Sequence, residues 1–174
     1  EKKINIIDAP GFDDFVGDVV SALRVCDTAV MVVNAQNGVE VGTEITWRYT
    51  TKHNPPVVFA INQIDHEKAN FDETIRQLKQ FFGEKVTITQ YPVNSGSGFN
   101  TIIDVLKMKQ IKFTPGTNKA EITDIPASEK DKAEELHIKL IEAAAESDEK
   151  LMEKFFEEGK LSEEELLKGL KNSI

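Results

Sequence analysis

The chain has 174 residues, of which 40% are hydrophobic, and a formal net charge of −9. This length allows one sizeable core with a small second lobe, and the acidity argues against broad binding to nucleic acid, whose phosphates repel an anionic surface. The single cysteine, Cys26, excludes an intrachain disulfide and fits a reducing, cytoplasmic compartment. No apolar run approaches the ~20 residues of a membrane span. Because the sequence opens inside an apolar run, we expect a fragment of a longer protein.

Strands and helices are predicted to alternate in the first half of the chain. Strands are predicted at 3–8, 29–34, 57–62 and 86–91, and helices at 12–26, 43–53 and 70–82. The runs at 29–34 and 57–62 contain almost no polar residue, which is typical of parallel strands that are buried on both faces. The repeated units predict an α/β fold, in which a parallel sheet has helices on both faces.

The pattern changes after the fourth predicted strand. A glycine-rich segment at 94–98 predicts a flexible linker. Two short strands are predicted at 101–107 and 109–113, with a turn at 115–118. A new helix is expected to start at 147–148, where serine and aspartate can cap a backbone amide.

The last third is helical and acidic. Apolar residues share one helical face at Leu136, Leu140, Ile141 and Ala144. Ser162 and Glu165 have the spacing of a capping box. Residues 121–174 hold 16 of the 30 acidic residues. We therefore predict an α/β core at 1–91 and a small α+β subdomain with acidic helices at 92–174.

The first candidate site follows the first predicted strand. Asp8 ends that strand, and Gly11 lies three residues later. In open α/β sheets, ligands bind beyond the carboxyl ends of the strands. A carboxylate there can hold Mg²⁺ through water, and a glycine lets its backbone amide approach a phosphate oxygen. The same pair also occurs in loops where the aspartate is only a cap, so alone it is weak evidence.

The second candidate site follows the strand at 57–62. Asp65 can accept hydrogen bonds from N1–H and the exocyclic amine of guanine, a donor pair that adenine lacks on that edge. Asn62 can brace the loop while it contacts the base. Alone, this motif also fits a polar turn. Because both motifs follow strands of one predicted sheet, together they favour a single pocket for a guanine nucleotide and Mg²⁺.

Six stretches of the sequence resemble the GTP-binding domain of translation elongation factor G. They are, in order, INIIDAPGFDDF, SALRVCDTAVMVVNAQNGVEVGTEITWR, PPVVFAINQID, ANFDETIRQLKQFFG, IIDVLKMKQIKF and LIEAAAESDEKLMEKFFEEGKLSEEELLKGL. They cover essentially the whole chain, which makes them more specific than either short motif. The resemblance implies a translational GTPase with a P-loop-type sheet, GTP or GDP and Mg²⁺ as cofactors, and a role in ribosomal translocation.

The resemblance also implies roles for individual residues. Asp8 would be the magnesium-associated carboxylate, and Gly11 would supply the amide that senses the γ-phosphate. Asn62 and Asp65 would bind guanine. Gln63 would lie along the nucleotide, where the family usually has the stem of a lysine.

Three positions depart from the family pattern. Ala9 replaces a threonine, Gln63 replaces a lysine, and Phe12 replaces the histidine that orients the attacking water. A phenyl ring neither donates nor accepts a hydrogen bond, so it cannot perform that task. The sequence therefore predicts that GTP hydrolysis is slow or absent, and it offers no catalytic residue.

The sequence contains no GxxxxGK[ST] phosphate loop. We expect the isolated chain to bind GTP weakly or not at all, because that loop supplies most of the phosphate contacts. As partners, the resemblance implies the ribosome and its stalk protein, which the acidic helices of residues 92–174 would face; we expect no contact with DNA or a membrane. Two alternatives remain: a ribosome-binding switch module without turnover, and a ribosome protection or recycling GTPase.

Overall fold

The computed structural model describes residues 2–114, 116–117, 119–146 and 148–173, which contain two sheets and their helices. The first sheet pairs the parallel strands β1 (Ala29–Asn34) and β2 (Val57–Asn62). The surrounding helices are α1 (Val16–Leu23), which follows a short 3-10 turn (Asp13–Phe15), α2 (Val41–His53) and α3 (Phe71–Phe82). The predicted α/β class is confirmed.

Local sequence signals set the ends of α2 and α3. Helix α2 stops at Asn54, whose left-handed backbone (φ 53°) closes the last turn before two prolines that cannot continue a helix. Helix α3 begins where Asn70 Oδ1 accepts the amide of Glu73 at 3.0 Å. It ends at Gly83, whose φ of 100° favours glycine. Both helices lie where the sequence predicts them.

One face of the β1–β2 pair forms a core with helices α2 and α3. Met31 and Val33 are buried on this face of β1. Next to Met31 in the register lies Phe59, whose ring packs against Trp47 of α2 and Phe82 of α3. The ring centroids are 4.6 to 5.8 Å apart. These three partly buried rings contribute apolar contact between the two helices and the sheet.

The opposite face of the β1–β2 pair is exposed. Val30, Val32 and Val58 share this face, and they are 61%, 64% and 47% exposed. Among the described residues nothing covers them, so the prediction that both strands are buried on both faces is wrong. Apolar runs of this kind are typical of strands with both faces covered, but the described residues cover only one face of this sheet.

The first predicted strand is also absent. Residues 3–8 form no strand in the described part of the chain, and Ile4 and Ile6 are 82% and 89% exposed. A strand needs a neighbouring edge that pairs with its amide and carbonyl groups. No described strand pairs with this segment, so the prediction of a strand that ends at Asp8 is wrong.

The second sheet is antiparallel, with its four described strands in chain order. They are β3 (Gln90–Pro92), β4 (Thr101–Asp104), β5 (Lys109–Phe113) and β6 (Ala120–Thr123). The predicted strand at 86–91 is wrong over most of its length, because the amide of Val86 instead bonds Gly83 O in a turn. The predicted strand at 101–107 ends early, because Asp104 Oδ1 accepts the amide of Lys107 at 2.9 Å and starts the turn into β5. The short edge strand β6 was not predicted from the sequence.

Three helices pack against the second sheet. They are α4 (Ala127–Ala145), α5 (Glu149–Glu158) and α6 (Glu163–Ser173). Their shared core contains Tyr91, Ile103, Val105, Ala133, Leu140, Ile141, Ala144 and Leu166, with Leu136 at its margin, which confirms the predicted apolar face. Phe71 of α3 packs against the same core and so joins the two parts of the chain. No helix in the described ranges combines the length and apolarity needed to cross a membrane.

Three predicted turns and caps have different outcomes. In the predicted turn at 115–118, Pro115 and Asn118 lie outside the described residues, whereas Thr117 N bonds Thr114 O. In the predicted helix start at 147–148, Ser147 also lies outside them, and Asp148 caps α5 through the amide of Lys150.

The capping box of α6 is confirmed. The division at residue 91 stays a prediction, and β3 spans it.

The capping box of α6 contains a strongly perturbed carboxylate. Glu165 Oε2 accepts the amide of Ser162 at 2.9 Å, and Ser162 Oγ accepts the amide of Glu165 at 3.3 Å. Lys154 of α5 donates to Glu165 at 2.6 Å. These hydrogen bonds, first that from Lys154 and then those from Ser162, lower the pKa of Glu165 to about 2. The ionised carboxylate therefore ties α5 to α6.

We predict that Glu165 makes the stability of the chain sensitive to acid. A carboxyl with a lowered pKa in the folded state stabilises that state above its usual pKa of 4.5, and this contribution disappears as the pH falls towards 2. The Glu165→Gln variant should be less stable than the original chain at pH 6, and the two should converge near pH 2. Thermal unfolding followed by circular dichroism checks this. Glu164→Gln, an exposed neighbour, is the control, and an equal pH profile for both variants would contradict the assignment.

Candidate functional site

The loop after β2 contains three of the predicted site residues. In this 62–65 loop, the carbonyl of Asn62 accepts the amide of Ala35 at 2.9 Å, so β1 and β2 stay joined beyond their last paired residues. Gln63 has a left-handed backbone with φ 58°, and its carbonyl accepts the amide of His66 at 3.0 Å. Ile64 is buried, whereas Asp65 is exposed. The loop therefore turns sharply around a buried anchor and leaves the carboxylate accessible.

A side-chain hydrogen bond connects the ends of the two parallel strands. Asn34, the last residue of β1, lies opposite Asn62 in the register. Asn34 Nδ2 donates to Gln63 Oε1 at 2.7 Å, and Asn34 Oδ1 accepts the amide of Gln36 at 2.7 Å. Because both polar atoms of the Asn34 amide are used, its orientation is fixed by two different partners. One side chain thus holds the 62–65 loop and the turn that follows β1.

Helix α3 holds the turn at 35–39 from the other side. The carbonyl of Ala35 accepts the amide of Asn70 at 2.8 Å. Gln77 Oε1 accepts the amide of Val39 at 2.9 Å, and Gln77 Nε2 donates to Glu73 at 2.9 Å. Hydrogen bonds to Glu73 from Arg76, and secondly from Gln77, lower its pKa to about 2, so it remains an ionised acceptor even well below neutral pH. Glu73 therefore orients Gln77 with its oxygen towards the turn.

The segment at 94–98 contacts the 62–65 loop directly. The amide of Gly96 donates to the carbonyl of Ile64 at 2.8 Å, and Asn94 Nδ2 donates to Gly98 O at 2.8 Å. Gly96 has a φ of 88°, which favours glycine in so tight a turn. The prediction of a flexible linker is therefore wrong, because this segment is hydrogen-bonded within itself and to the loop. A cleft of about 350 Å³ lies beside it, lined partly by Asn70, Asp72, Asn94, Ser95 and Lys132.

Asp8 and Gly11 lie in the irregular segment before α1. Asp8 is exposed and lines a shallow cleft of about 400 Å³ with Asp18, Ser21 and other residues of α1 and its flanks. The 62–65 loop contributes no residue to this cleft. The structure thus places Asn62, Gln63 and Asp65 on one short loop, and it does not bring Asp8 into contact with them. Phe12 is 77% exposed and lies beyond Gly11.

The chemistry of these side chains suits guanine better than it suits a bare metal ion. The exposed Asp65 carboxylate can accept two parallel N–H groups from a purine edge. No group of three histidine, cysteine or acidic residues that could hold a metal occurs in the described part of the chain. Asp8 supplies one carboxylate and Asp18 lines the same cleft, so Mg²⁺ at this position would depend on phosphate oxygens and water for most of its ligands.

A comparison with known protein families decides the relationship of this chain. Residues 1–156 match the family described as the elongation factor Tu GTP binding domain. The chain belongs to this GTP-binding domain family. The family is one of guanine-nucleotide-binding domains of the translation-factor type, which agrees with the translational GTPase type that the sequence resembles.

A solved structure has the same fold over almost the whole chain. It is the crystal structure of a protein designated ttk003000868 from Thermus thermophilus. The two proteins share 28% sequence identity and superpose with a TM-score of 0.81, over 93% of this chain and 24% of the other. The chain therefore spans about a quarter of the length of that solved protein.

Asn34 and Gln77, which contact the candidate site or its flanking turn, belong to no motif in the sequence. Asn34 ends β1, and Gln77 on α3 contacts the turn at 35–39, and neither is among the residues predicted for the site. A usable signal existed for Asn34, because it ends an apolar strand as Asn62 does, and the ends of parallel strands meet at one edge. No comparable signal marked Gln77, since glutamine on a helix surface is common.

We predict that Gly38→Ala destabilises the turn at 35–39. A Cβ at Gly38, whose φ is 70°, would collide with Gln77 Oε1 and displace it from the amide of Val39. Gly159→Ala is a matched control, because Gly159 has a φ of 69° and an added Cβ would meet no described atom within 4 Å. Urea unfolding should show Gly38→Ala to be about 1–2 kcal/mol more destabilising than the control. Equal losses would show that the Gln77 contact contributes nothing.

Proposed function

We propose that this chain is the guanine-recognising part of a translational GTPase of the elongation factor G type. The observation that carries the proposal is the exposed Asp65 carboxylate on a braced loop at the end of a parallel strand, in a chain of a GTP-binding family. The whole protein would bind GTP and GDP and would drive the movement of tRNA and mRNA on the ribosome in the cytoplasm.

Recognition of guanine would rest on the 62–65 loop. Asp65 accepts hydrogen bonds from N1–H and the exocyclic amine, which distinguishes guanine from adenine. Asn62 contacts the base and the adjoining loop, and Gln63 lies along the nucleotide. Because the carboxylate is charged, its two hydrogen bonds to the base are stronger than those between neutral groups.

The phosphate end of the nucleotide would use the segment before α1. Asp8 would hold Mg²⁺ through water, and the amide of Gly11 would approach the γ-phosphate, where an added Cβ would meet no described atom. Such a ligand would reach from Asp65 to Asp8. The absence of the phosphate-loop motif from the sequence supports weak binding by this chain in isolation.

The chain would therefore act as part of a larger nucleotide-binding domain. The exposed valines of β1 and β2 and the exposed isoleucines at Ile4 and Ile6 support this, because such apolar surfaces are normally covered. Further strands or helices of the same protein would cover them. The phosphate loop would belong to that part of the domain.

A second candidate function is a ribosome-bound switch that does not hydrolyse GTP. Phe12 favours it, because its phenyl ring cannot orient a water molecule. The acidic helices α5 and α6, with the exposed side chain of Phe156, would provide the surface for the ribosomal stalk protein. A ribosome protection or recycling GTPase would share these features and would differ in its other domains.

Replacing Asp65 by asparagine in the full-length protein tests guanine recognition. An asparagine donates where aspartate only accepts, so we predict that GDP binds about 100-fold more weakly and that xanthosine diphosphate, which has a carbonyl in place of the amine, binds more tightly. Fluorescence titration measures both affinities. Glu67→Gln, an exposed acid on the same loop region, is the control. Unchanged selectivity in Asp65→Asn would refute the proposed guanine contact.

Replacing Phe12 by histidine tests whether this position limits hydrolysis. With ribosomes present, we predict slow single-turnover hydrolysis of GTP by the full-length protein and an increase of about 10²–10⁴-fold in Phe12→His. Phe15→His places the same side chain at another exposed position and should have no effect. Fast hydrolysis by the unaltered protein would contradict the role given to Phe12 and remove the support for the second candidate.

A further inference from the structure

Asn34 lies next to the loop proposed to bind guanine, although it belongs to a different strand. It ends β1, and its partner in the register is Asn62 at the end of β2. Its side-chain amide reaches across the strand ends to Gln63 Oε1 at 2.7 Å. The side chain of Asn34 is thus connected to the residue between the two that would contact the base.

Gln63 needs such a contact because of its backbone conformation. Its φ of 58° lies in the left-handed region, which is unfavourable for any residue that carries a Cβ atom. Backbone hydrogen bonds to the carbonyls of Asn62 and Ile64 hold the loop on either side of Gln63. At Gln63 itself, two interactions oppose relaxation of the turn: the bond from Asn34 to its side chain, and the bond from His66 N to its carbonyl. Loss of the first would leave the turn held by a single backbone hydrogen bond at this residue.

Asn34 is itself held by a chain of contacts that ends on helix α3. Its Oδ1 accepts the amide of Gln36, within the turn at 35–39. That turn is bonded to α3 through Gln77 and to the α3 cap residue Asn70. Asn34 therefore has a fixed orientation before any ligand arrives, which is the condition for positioning a binding group at little entropic cost.

We propose that Asn34 is a positioning residue for base recognition: by holding Gln63, it fixes the direction in which the 62–65 loop presents Asp65 to guanine. This inference rests on the proposed guanine-nucleotide binding. Asn34 does not contact the nucleotide in this arrangement, and its effect passes through Gln63. The hydrogen bond between Asn34 and Gln63 restrains the 62–65 loop from outside, in addition to the hydrogen bonds within the loop.

The test is a double-mutant cycle on GDP binding by the full-length protein. Asn34→Ala removes the bond and should raise the dissociation constant for the fluorescent methylanthraniloyl derivative of GDP about fivefold. Gln63→Ala removes the same bond together with the contact of Gln63 along the nucleotide, so it should raise that constant at least as much. The double variant should bind no more weakly than the weaker single variant, because the same bond is lost in all three. Asn37→Ala is the matched control: Asn37 lies on the same turn, and its side chain bonds Glu40 rather than the 62–65 loop.

A second measurement separates positioning from a general loss of structure. Inosine diphosphate lacks the exocyclic amine, so misdirection of Asp65 should weaken GDP binding more than inosine diphosphate binding in Asn34→Ala. Equal weakening of both ligands, multiplicative effects in the double variant, or an unchanged affinity in Asn34→Ala would overturn the proposal. If Asn34→Ala does not fold, Gln63→Ala, which truncates an exposed side chain, supports or overturns the proposal by the same comparison of the two ligands.

The outcome also distinguishes this inference from the proposed function. Failure of the folded, unaltered protein to bind GDP would refute the proposed function, and the role of Asn34 would be refuted with it. Binding of GDP by the unaltered protein together with an unaffected Asn34→Ala variant would refute the role of Asn34 alone.

Discussion

The parallel pairing of β1 with β2 is the constraint on which the candidate site depends. The register that sets Ala29 opposite Val57 also sets Asn34 opposite Asn62, so both strands deliver a polar residue to the same edge. A shift of one residue would turn Asn34 and the buried side chains of β1 to the opposite faces. The aromatic contacts of Phe59 stabilise this register on the covered face of the sheet, and the bond between Asn34 and Gln63 stabilises it at the carboxyl ends of the strands.

Around this edge the protein uses backbone hydrogen bonds to bring together segments that are distant in sequence. The turn at 35–39 is held by α3, and the 62–65 loop is held by Gly96. The second sheet participates because the segment at 94–98 follows β3 directly, and Phe71 of α3 packs against its core. The second sheet and the 62–65 loop are therefore joined by a hydrogen bond at Gly96 and by the packing of Phe71.

The sequence was most informative where local periodicity and capping determine structure. Helices α2, α3 and α4, strands β1 and β2, and the box of Ser162 and Glu165 could all be predicted, because each depends on residues close in the chain. The family followed from the ordered series of matching stretches, and the family match confirms the translational GTP-binding type.

The failed predictions concerned interactions with residues far away in sequence. The strand at 3–8 and the second buried face of β1 both require a neighbour that apolar periodicity cannot identify. The role of Gly96 was hidden because its amide bonds the carbonyl of Ile64, and glycine-rich composition alone is equally typical of a linker. The contact of Asp65 and Asp8 with one ligand stays a prediction, as does the boundary at residue 91.

The uncovered valine face has a consequence for handling the chain in solution. Val30, Val32 and Val58 form an apolar strip on a two-stranded sheet whose outer edges pair with no other described strand. Open edges beside such a strip are templates for intermolecular strand addition. At high concentration, the isolated chain would self-associate through this strip, and its solubility would depend on whether the strip is covered.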